Sequence, residues 1–309
     1  MGITHFAPVG TRSGAVTSAL VYLKHNQNKF SEFKGQIIEK VVVFTSPEVR
    51  NGELDCKKCK NNEYGSSNGP EWESKNVLDM IKKFAEKELK SVIPDKGSIH
   101  ICIVNPNDYD DCFDKIAKTL LKFTQGVGEH IWMNFTGGTN VMNIALLEVA
   151  LLSGRVGRLY YTFLSDIERY GNYLQPPSED KSIFRFVEIP FMKRNFDENY
   201  YKVLRVYKKS NGWLSENQVL SCLKGKDPGS FSKMSIETFK RDYLNVMDGR
   251  ELICRDKTTN KITEYGKITL EKIDSSLFKA LVAPKTETGK EQINGLTADL
   301  DLEKLWSKS

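Results

Sequence analysis

The sequence predicts an α/β protein in which a mostly parallel β-sheet precedes a smaller helical domain. Over the first 190 residues, short β-branched runs alternate with longer helical patterns, as is typical of a parallel sheet covered by helices on both faces. After about residue 193 the pattern changes to short helices and a β-ribbon. The length of 309 residues also favours two domains, because a single core rarely grows beyond roughly 250 residues.

The elements of the first domain follow one another in an order typical of a Rossmann-like fold. The predicted strands are residues 3–9, 40–45, 98–104, 129–135, 158–163 and 183–189. The predicted helices are residues 13–24, 72–92, 110–123 and 141–152. The last of these helices is apolar on nearly every side, so we expect it to be packed in the interior. Such sheets bind ligands beyond the carboxyl ends of their strands, where the strand order reverses.

The turn after the fourth strand has the residues of an anion-binding site. It reads Thr136-Gly137-Gly138-Thr139-Asn140 and leads directly into a helix. Adjacent glycines allow the backbone to approach a ligand closely, and the N–H groups at a helix start attract anions. A phosphate-bearing ligand is therefore expected. The alternative is an ordinary turn in which the glycines supply geometry and Thr139 or Asn140 caps the helix.

The turn after the first strand has a similar composition, which strengthens the first interpretation. Gly10 and Gly14 allow close approach of the backbone. Thr11 and Ser13 supply hydroxyl groups, and Arg12 offers a planar guanidinium to a phosphate or a base. The turn matches neither Gly-x-Gly-x-x-Gly nor the phosphate-binding loop that ends in Gly-Lys-Ser/Thr.

Residues 193–284 have the pattern of a winged helix-turn-helix domain. Helices are predicted near residues 200–207, 216–223 and 236–247, and a hairpin near residues 252–254 and 265–270. The segment has 18 Lys and Arg against 12 Asp and Glu, a net charge of +6, compared with +5 for the whole chain. This charge is compatible with binding of double-stranded DNA, with Lys233, Lys240 and Arg241 as the expected phosphate contacts. Winged helices also serve as dimerisation or spacer modules, and that alternative stays open.

The composition is that of an ordinary globular protein and excludes a membrane-spanning one. Apolar residues make up 39% and charged residues 28% of the chain, and no run approaches the roughly 18 apolar residues of a membrane span. The first six residues lack the basic and apolar stretches of a secretory signal, so we expect a cytoplasmic protein without a membrane partner. Residues 285–309 form a polar tail, and its end indicates a docking strand or a short helix.

Six cysteines in a cytoplasmic protein of this size indicate reduced thiols rather than a disulfide framework. Cys56 and Cys59 have the spacing of metal ligands, but a closed zinc site needs four ligands and the chain offers no second pair of this kind. They are weak zinc candidates, chiefly for a site shared between subunits, in what we expect to be a surface loop. No cofactor is expected.

The two turns resemble the ligand-binding motifs of CARF domains, the Rossmann-like sensors of CRISPR-associated proteins in type III systems. The resemblance covers about residues 1–190. Its motifs are Pro8-Val9-Gly10-Thr11-Arg12-Ser13 and Asn134-Phe135-Thr136-Gly137-Gly138-Thr139-Asn140, the latter followed by Met142. The second motif is close to the family signature Thr-Gly-Gly-Thr-Lys, with Asn140 in place of the lysine.

The resemblance implies a homodimer that binds a ring of 3′,5′-linked adenylates across its twofold axis, with cyclic tetra-adenylate as the favoured ring. The implied ligand-binding residues are Gly10, Thr11, Arg12, Ser13, Thr136, Gly137, Gly138, Thr139 and Asn140. A symmetric ring presents the same phosphate twice, so a symmetric dimer can hold it with one set of groups used in duplicate.

Some members of the family, the ring nucleases, cleave their ligand without a metal by attack of a ribose 2′-hydroxyl on the neighbouring phosphate. By resemblance, Thr11 or Ser13 would position this nucleophile, and Asn140 would help to hold the phosphate. Because asparagine replaces the charged lysine of the family, we expect slow cleavage or none.

Two other functions are compatible with the sequence. One is a transcription regulator without catalysis, in which ring binding changes the spacing of two winged helices on DNA. The other is a dinucleotide-dependent oxidoreductase, which is disfavoured because the second strand runs into Thr45-Ser46-Pro47 and not to an acidic residue suited to a ribose. A HEPN ribonuclease is excluded after residue 190, because the last histidine of the chain is His130.

Overall fold

A computed structural model of the chain describes residues 3–25, 38–54, 76–88, 99–125, 130–164, 184–190, 198–283 and 289–304. The chain divides into two units by its internal contacts. The first unit comprises Met1–Arg194 and Ala280–Ser309, and the second comprises Asn195–Lys279.

The strands of both units alternate with helices along most of the chain. The strands are β1 (Ile3–Pro8), β2 (Ile38–Thr45), β3 (Ile99–Ile103), β4 (His130–Asn134), β5 (Val156–Leu164), β6 (Phe184–Glu188), β7 (Leu214–Ser215), β8 (Ile253–Asp256), β9 (Thr259–Ile262) and β10 (Glu303–Lys304). The helices of the first unit's sheet are α1 (Gly14–His25), α2 (Pro47–Arg50), α3 (Val77–Glu88), α4 (Tyr109–Phe123) and α5 (Asn140–Ser153). The remaining helices are α6 (Glu198–Ser210), α7 (Glu216–Lys226), α8 (Pro228–Phe231), α9 (Ile236–Phe239), α10 (Asn245–Gly249), α11 (Glu264–Asp274), α12 (Ser276–Val282) and α13 (Lys290–Leu296).

The first unit is built on a seven-stranded sheet with the order β10-β3-β2-β1-β4-β5-β6. The five inner strands are parallel, whereas β6 and β10 pair antiparallel at the two edges. This arrangement confirms the predicted α/β class with a mostly parallel, Rossmann-like sheet. The predicted strands of this region lie within two residues of the observed ones. The predicted helix 72–92 is observed as α3, and the flanking residues 72–75 and 89–92 lie outside the described residues.

The strand order reverses between β1 and β4. From β1 the chain moves outward through β2 to β3, and it then returns to place β4 on the other side of β1. Because crossovers of this kind are right-handed, the helices after β1 and β4 lie on opposite faces of the sheet. The contacts agree, since α1 packs with α3 and α4 packs with α5. The turns after β1 and β4 therefore border the crevice at which such sheets bind ligands.

Helix α5 is not buried on every side, and the prediction of an interior helix was wrong. Met142, Leu146 and Val149 are buried, but Ile144 is 57% exposed and Leu147 is 37% exposed. The reason is geometric: a helix packed on a sheet and on one neighbouring helix is covered on those sides only. The outer side of α5 keeps an apolar stripe that the sequence pattern alone attributed to the core.

The C-terminal segment belongs to the first unit and contains both a short helix and a docking strand. Helix α13 packs against α4, and β10 pairs antiparallel with β3, with Glu303 opposite Ile101. The Lys118 ammonium lies 2.6 Å from the Asp299 carboxylate. These surface contacts fix the segment along the edge of the sheet.

The second unit contains α6 to α11 and a three-stranded sheet with the order β7-β9-β8. Residues 240–244 form a π-helical turn between α9 and α10. The predicted second strand of the hairpin, residues 265–270, was wrong: β9 is the partner of β8, and residues 265–270 lie in α11. Thr263 caps this helix by accepting a hydrogen bond from the Gly266 N–H at 2.9 Å. Among the described residues, no helix is long and apolar enough to cross a membrane.

Candidate anion-binding site

The turn after β4 is shaped by its two glycines. Gly138 has a φ of 75°, a conformation that residues with a Cβ rarely adopt. A Cβ added to Gly137 would lie 2.3 Å from the Pro8 carbonyl oxygen, and one added to Gly138 would lie 2.7 Å from the Pro8 Cβ. Side chains are excluded at both positions because the ends of β1 and β4 touch here. The two turns that sequence reasoning singled out are thus in direct contact.

The start of α5 is capped within the chain. The Thr139 hydroxyl accepts a hydrogen bond from the Met142 N–H at 3.3 Å, and it donates one to the Pro106 carbonyl oxygen at 3.0 Å. The side-chain amide of Asn143 donates to the Gly137 carbonyl oxygen at 3.0 Å. These contacts hold the turn rigidly, so its backbone N–H groups keep a fixed direction.

Thr136 stabilises the turn through hydrogen bonds of its side chain. Its hydroxyl donates to Asn134 Oδ1 at 2.5 Å, and the Thr162 N–H of β5 donates to the same hydroxyl at 2.8 Å. Because these bonds use the hydroxyl within the chain, Thr136 supports the turn and offers a ligand little beyond its backbone. Sequence reasoning had placed it among the ligand-binding side chains.

Three side chains at the crevice make no hydrogen bond or ion pair with another described residue. They belong to Thr11, which is half-buried, and to Arg12 and Asn140, which are exposed. Asn140 begins α5 and Arg12 lies two residues before the start of α1, and the dipole at a helix start favours an anion. The arrangement offers one guanidinium, one hydroxyl and one carboxamide to a ligand along with the backbone of the glycine turn.

Ser13, by contrast, is buried. Its carbonyl oxygen accepts hydrogen bonds from the Val16 and Thr17 N–H groups at 3.0 and 3.1 Å, which begins α1. The structure therefore places Ser13 in the interior, where its role is to start the helix, and leaves Thr11 as the hydroxyl that a ligand can reach.

A third loop borders the site, and its position there was not predicted from the sequence. The segment 104–108 between β3 and α4 reaches the glycine turn through the bond between Pro106 and Thr139. Asp108 caps α4 by accepting hydrogen bonds from the Asp110 and Asp111 N–H groups. The signal in the sequence is Asn105-Pro106-Asn107-Asp108, a turn between a strand and a helix, but only the strand order brings it to this crevice.

The basic residues predicted to contact DNA are in the second unit, and two of them have partners within it. Lys240 lies 2.5 Å from the Glu216 carboxylate, and Arg241 lies 2.5 Å from that of Asp242. Lys233 is exposed between α8 and α9. The α9–α10 segment also exposes Glu237 and Asp248, so its outer surface is far from uniformly basic.

Glu216 is the buried centre of an ion-pair group. Its side chain is 6% exposed, and its carboxylate also lies 2.6 Å from the Arg255 guanidinium of β8. Burial by itself raises the pKa of Glu216, but the hydrogen bonds and charges of Lys240 and Arg255 outweigh that effect and lower the pKa below 4.5. The carboxylate is therefore ionised at neutral pH and holds both cations.

The zinc candidates Cys56 and Cys59 lie outside the described residues. Within the ranges that the structure describes, no group of three or more His, Cys, Asp and Glu side chains could hold a metal ion. Cys102 is buried in β3, and burial raises the pKa of its thiol to about 12.

The chain is similar in sequence to a curated protein and in structure to solved ligand complexes. No family model matches the chain. A protein of Archaeoglobus fulgidus described as uncharacterized is 29% identical over 196 residues, which are 54% of this chain and 59% of that protein. The chain thus covers less than two thirds of the relative's length.

The two structures are ligand complexes. Can2 from Sulfobacillus thermosulfidooxidans in complex with cyclic tetra-adenylate has a TM-score of 0.33 and 11% identity, over 87% of this chain and 63% of that one. Csm6 from Enterococcus italicus bound to cyclic hexa-2′-fluoro-hexa-dAMP has a TM-score of 0.38 and 15% identity, over 96% and 60%. TM-scores below 0.5 do not establish a shared fold, and the Rossmann-like sheet is recognised from the chain's own strand order and register.

Proposed function

We propose that the chain is a CARF-type receptor for a cyclic oligoadenylate, with cyclic tetra-adenylate as the favoured ring, in type III CRISPR antiviral signalling. One observation carries the proposal: the turns that contain Thr11, Arg12 and Asn140 follow β1 and β4, where the strand order reverses, and these three side chains have no hydrogen-bond or ion-pair partner among the described residues. Their chemistry suits a phosphodiester, since a guanidinium can form charge-assisted hydrogen bonds to phosphate oxygens. A helix start and a glycine turn add backbone donors at the same place.

We further propose that the receptor is a homodimer and that the outer side of α5 forms the contact between two copies. Asn140, Ile144 and Leu147 follow one another at helical spacing, so the apolar stripe begins at the anion-binding turn itself. Large exposed apolar residues that adjoin each other mark interaction surfaces. If two copies of α5 cross near Ile144 and Leu147, each Asn140 lies about 8 Å along its helix axis from the crossing, and a twofold ligand can reach both sites.

Slow metal-independent cleavage is the catalytic part of the proposal. The ribose 2′-oxygen would attack the adjacent phosphorus, the bond to the 5′-oxygen would break, and the proton would pass to that leaving oxygen, giving a 2′,3′-cyclic phosphate. Thr11 would orient the hydroxyl, Arg12 would stabilise the charge on the phosphate oxygens, and Asn140 would donate a hydrogen bond. The buried Ser13 has a structural role in this proposal.

The first experiment measures ring binding and assembly together. Titration calorimetry with cyclic tetra-adenylate is expected to give one ring per two chains, and linear tetra-adenylate is expected to bind more weakly because it lacks the closed twofold shape. Cyclic hexa-adenylate in the same experiment tests the ring size. No heat of binding with any of the rings would contradict the receptor function.

A second experiment tests the dimer surface. Ile144→Asp places a charge in the proposed contact, and we expect a monomer in sedimentation analysis and a large loss of ring affinity. Leu54→Asp is the matched control, because Leu54 is 45% exposed and lies away from α5 in sequence. A dimer that persists in Ile144→Asp would show that another surface joins the chains.

Cleavage is tested with labelled ring, excess protein and EDTA. We expect slow formation of products with 2′,3′-cyclic phosphate ends, and an intact ring after many hours would limit the protein to binding.

The DNA-binding alternative is tested by mobility shift at low salt, where phosphate contacts are strongest. The ion pairs of Lys240 and Arg241 favour a spacer or dimerisation role for the winged-helix unit, so we expect no ligand-dependent shift.

A further inference from the structure

We infer that Asn134 is the positioning residue that holds the two halves of the anion-binding site in register. The inference rests on the proposed function and extends it to a residue that no ligand would touch. Asn134 ends β4, and its side chain is fully buried. It is therefore available only for contacts within the chain.

The carboxamide of Asn134 joins the α1 side of the site to the α5 side. Its Nδ2 donates to the Ala15 carbonyl oxygen in the first turn of α1 at 2.9 Å. Its Oδ1 accepts from the Thr136 N–H at 2.9 Å and from the Thr136 hydroxyl at 2.5 Å. One planar group thus bonds to the segment that carries Arg12 and to the turn that leads to Asn140.

The network continues to the neighbouring strand. The Thr136 hydroxyl gives its proton to Asn134, so the Thr162 hydroxyl, 2.7 Å away, donates to Thr136. Together with the bond from the Thr162 N–H, this ties the glycine turn to β5 as well. Buried polar networks of this kind are costly unless their groups are satisfied, and satisfied networks specify one geometry.

Asparagine is the side chain that this place requires, because it has a donor and an acceptor on one small planar group. Aspartate has the same shape but lacks the donor for Ala15 and would bury a charge. Leucine has a similar volume and makes neither bond. Ala15 is three residues from Arg12, and Thr136 is one residue from the glycine pair, so loss of either bond lets the ligand groups move apart.

The experiment compares affinity with stability in three variants. Asn134→Leu is expected to bind cyclic tetra-adenylate about 30-fold to 100-fold more weakly, since displacement of binding groups by about 1 Å can have an effect of that size. Leu20→Ala is the matched control, because Leu20 lies in the buried core of α1 and its truncation lowers Tm without touching the network. Thr162→Val removes the hydroxyl bond to Thr136 but keeps the backbone N–H bond from residue 162, and it is expected to give a smaller loss.

Amide hydrogen exchange without ligand provides a second readout. Asn134→Leu is expected to speed exchange at residues 14–17 and 136–140 together, whereas Leu20→Ala is expected to leave residues 136–140 unchanged. Should Asn134→Leu fail to fold, Asn134→Asp carries the same comparison, because it keeps the acceptor for Thr136 while it replaces the donor to Ala15 by a buried charge. An affinity loss in the Asn134 variant no larger than in Leu20→Ala at an equal fall in Tm would overturn the inference.

The two proposals fail in different ways. If the wild-type protein binds no ring, the receptor function fails, and the exchange pattern still decides whether Asn134 holds both turns. If the wild-type protein binds and the Asn134 variants bind equally well, the receptor function stands and the positioning role is wrong.

Discussion

In the first unit, the Arg12 guanidinium lies exposed beside a helix start with no partner among the described residues, whereas in the second unit Lys240 and Arg255 are both held by the buried Glu216. The first arrangement leaves a cation available to an anionic ligand. The second uses its cations to tie α9–α10 and the β8–β9 hairpin to α7.

The difference shows that net charge does not tell which cations are available to an anion. The second unit contains most of the chain's excess positive charge, but several of its cations serve internal ion pairs, including Lys202 with Asp227 and Arg205 with Asp274. In the first unit, the Arg12 guanidinium has no partner among the described residues and lies near the backbone donors of a helix start. Ligand binding depends on groups that are preorganised and unpaired.

The largest effect is expected from a side chain in the glycine turn. Gly137→Ala would drive a Cβ into the Pro8 carbonyl, so we expect a loss of about 3 kcal/mol in the free energy of unfolding of the first unit and no measurable ring binding. Gly157→Ala is the control, because a Cβ there meets only ordinary contacts, the nearest at 3.6 Å. Calorimetry and thermal unfolding measure both effects. A Gly137→Ala protein as stable as the control would contradict the close contact between β1 and β4.

A smaller effect is expected at the ion-pair centre of the second unit. Glu216→Gln leaves two cations without their carboxylate, and we expect a loss of about 2 kcal/mol in that unit, measured by hydrogen exchange in α6 and α7. Glu237→Gln removes the same charge from an exposed position and should change little. Equal stabilities of the two variants would mean that the buried group contributes nothing to this unit.

Arg12→Gln tests the free cation directly. Removal of one charge-assisted hydrogen bond is expected to lower ring affinity about tenfold and to make the affinity less dependent on salt. We expect no change in Tm, because Arg12 makes no ion pair with any residue that the structure describes. Lys209→Gln, an exposed change in α6, controls for net charge. If both variants bind the ring equally well, the contact must lie elsewhere on the first unit.

The smallest effect is a difference in acid sensitivity between the units. Burial lowers the pKa of His5 from 6.5 to about 3. Below pH 6.5, His5 therefore becomes protonated in the unfolded chain but stays neutral in the folded one. The first unit should lose about 1 kcal/mol of stability between pH 6.5 and 5.5. The pKa of Glu216 is lowered, so its contribution is present above pH 4.5 and declines only as the pH falls below that value.

Unit-resolved hydrogen exchange across this pH range tests the difference. The double variant His5→Phe with Tyr160→Phe removes the buried hydrogen-bonded pair and should reduce the loss above pH 5.5 in the first unit to the part due to His100, whose pKa is also lowered by burial. Parallel losses in both units from pH 6.5 downward would contradict the assignment of this step to His5.

The sequence determined the succession of strands and helices in the first unit, because period, β-branched runs and glycine turns are local properties. It also identified the two turns after β1 and β4. It misplaced the second hairpin strand, since the residues after Thr263 read equally well as a strand until the cap and the packing of Gly266 against Leu252 are known.

Only the tertiary structure decided which of the polar residues are available to a ligand. Arg12, Ser13 and Thr136 look alike as candidates in the sequence, but one is exposed, one is buried and one is bonded to Asn134 and Thr162. The same holds for α5, whose apolar residues divide between the core and the surface. Local sequence sets what a side chain can do, whereas its partners come from segments far along the chain, and those partners determine whether it is free to bind.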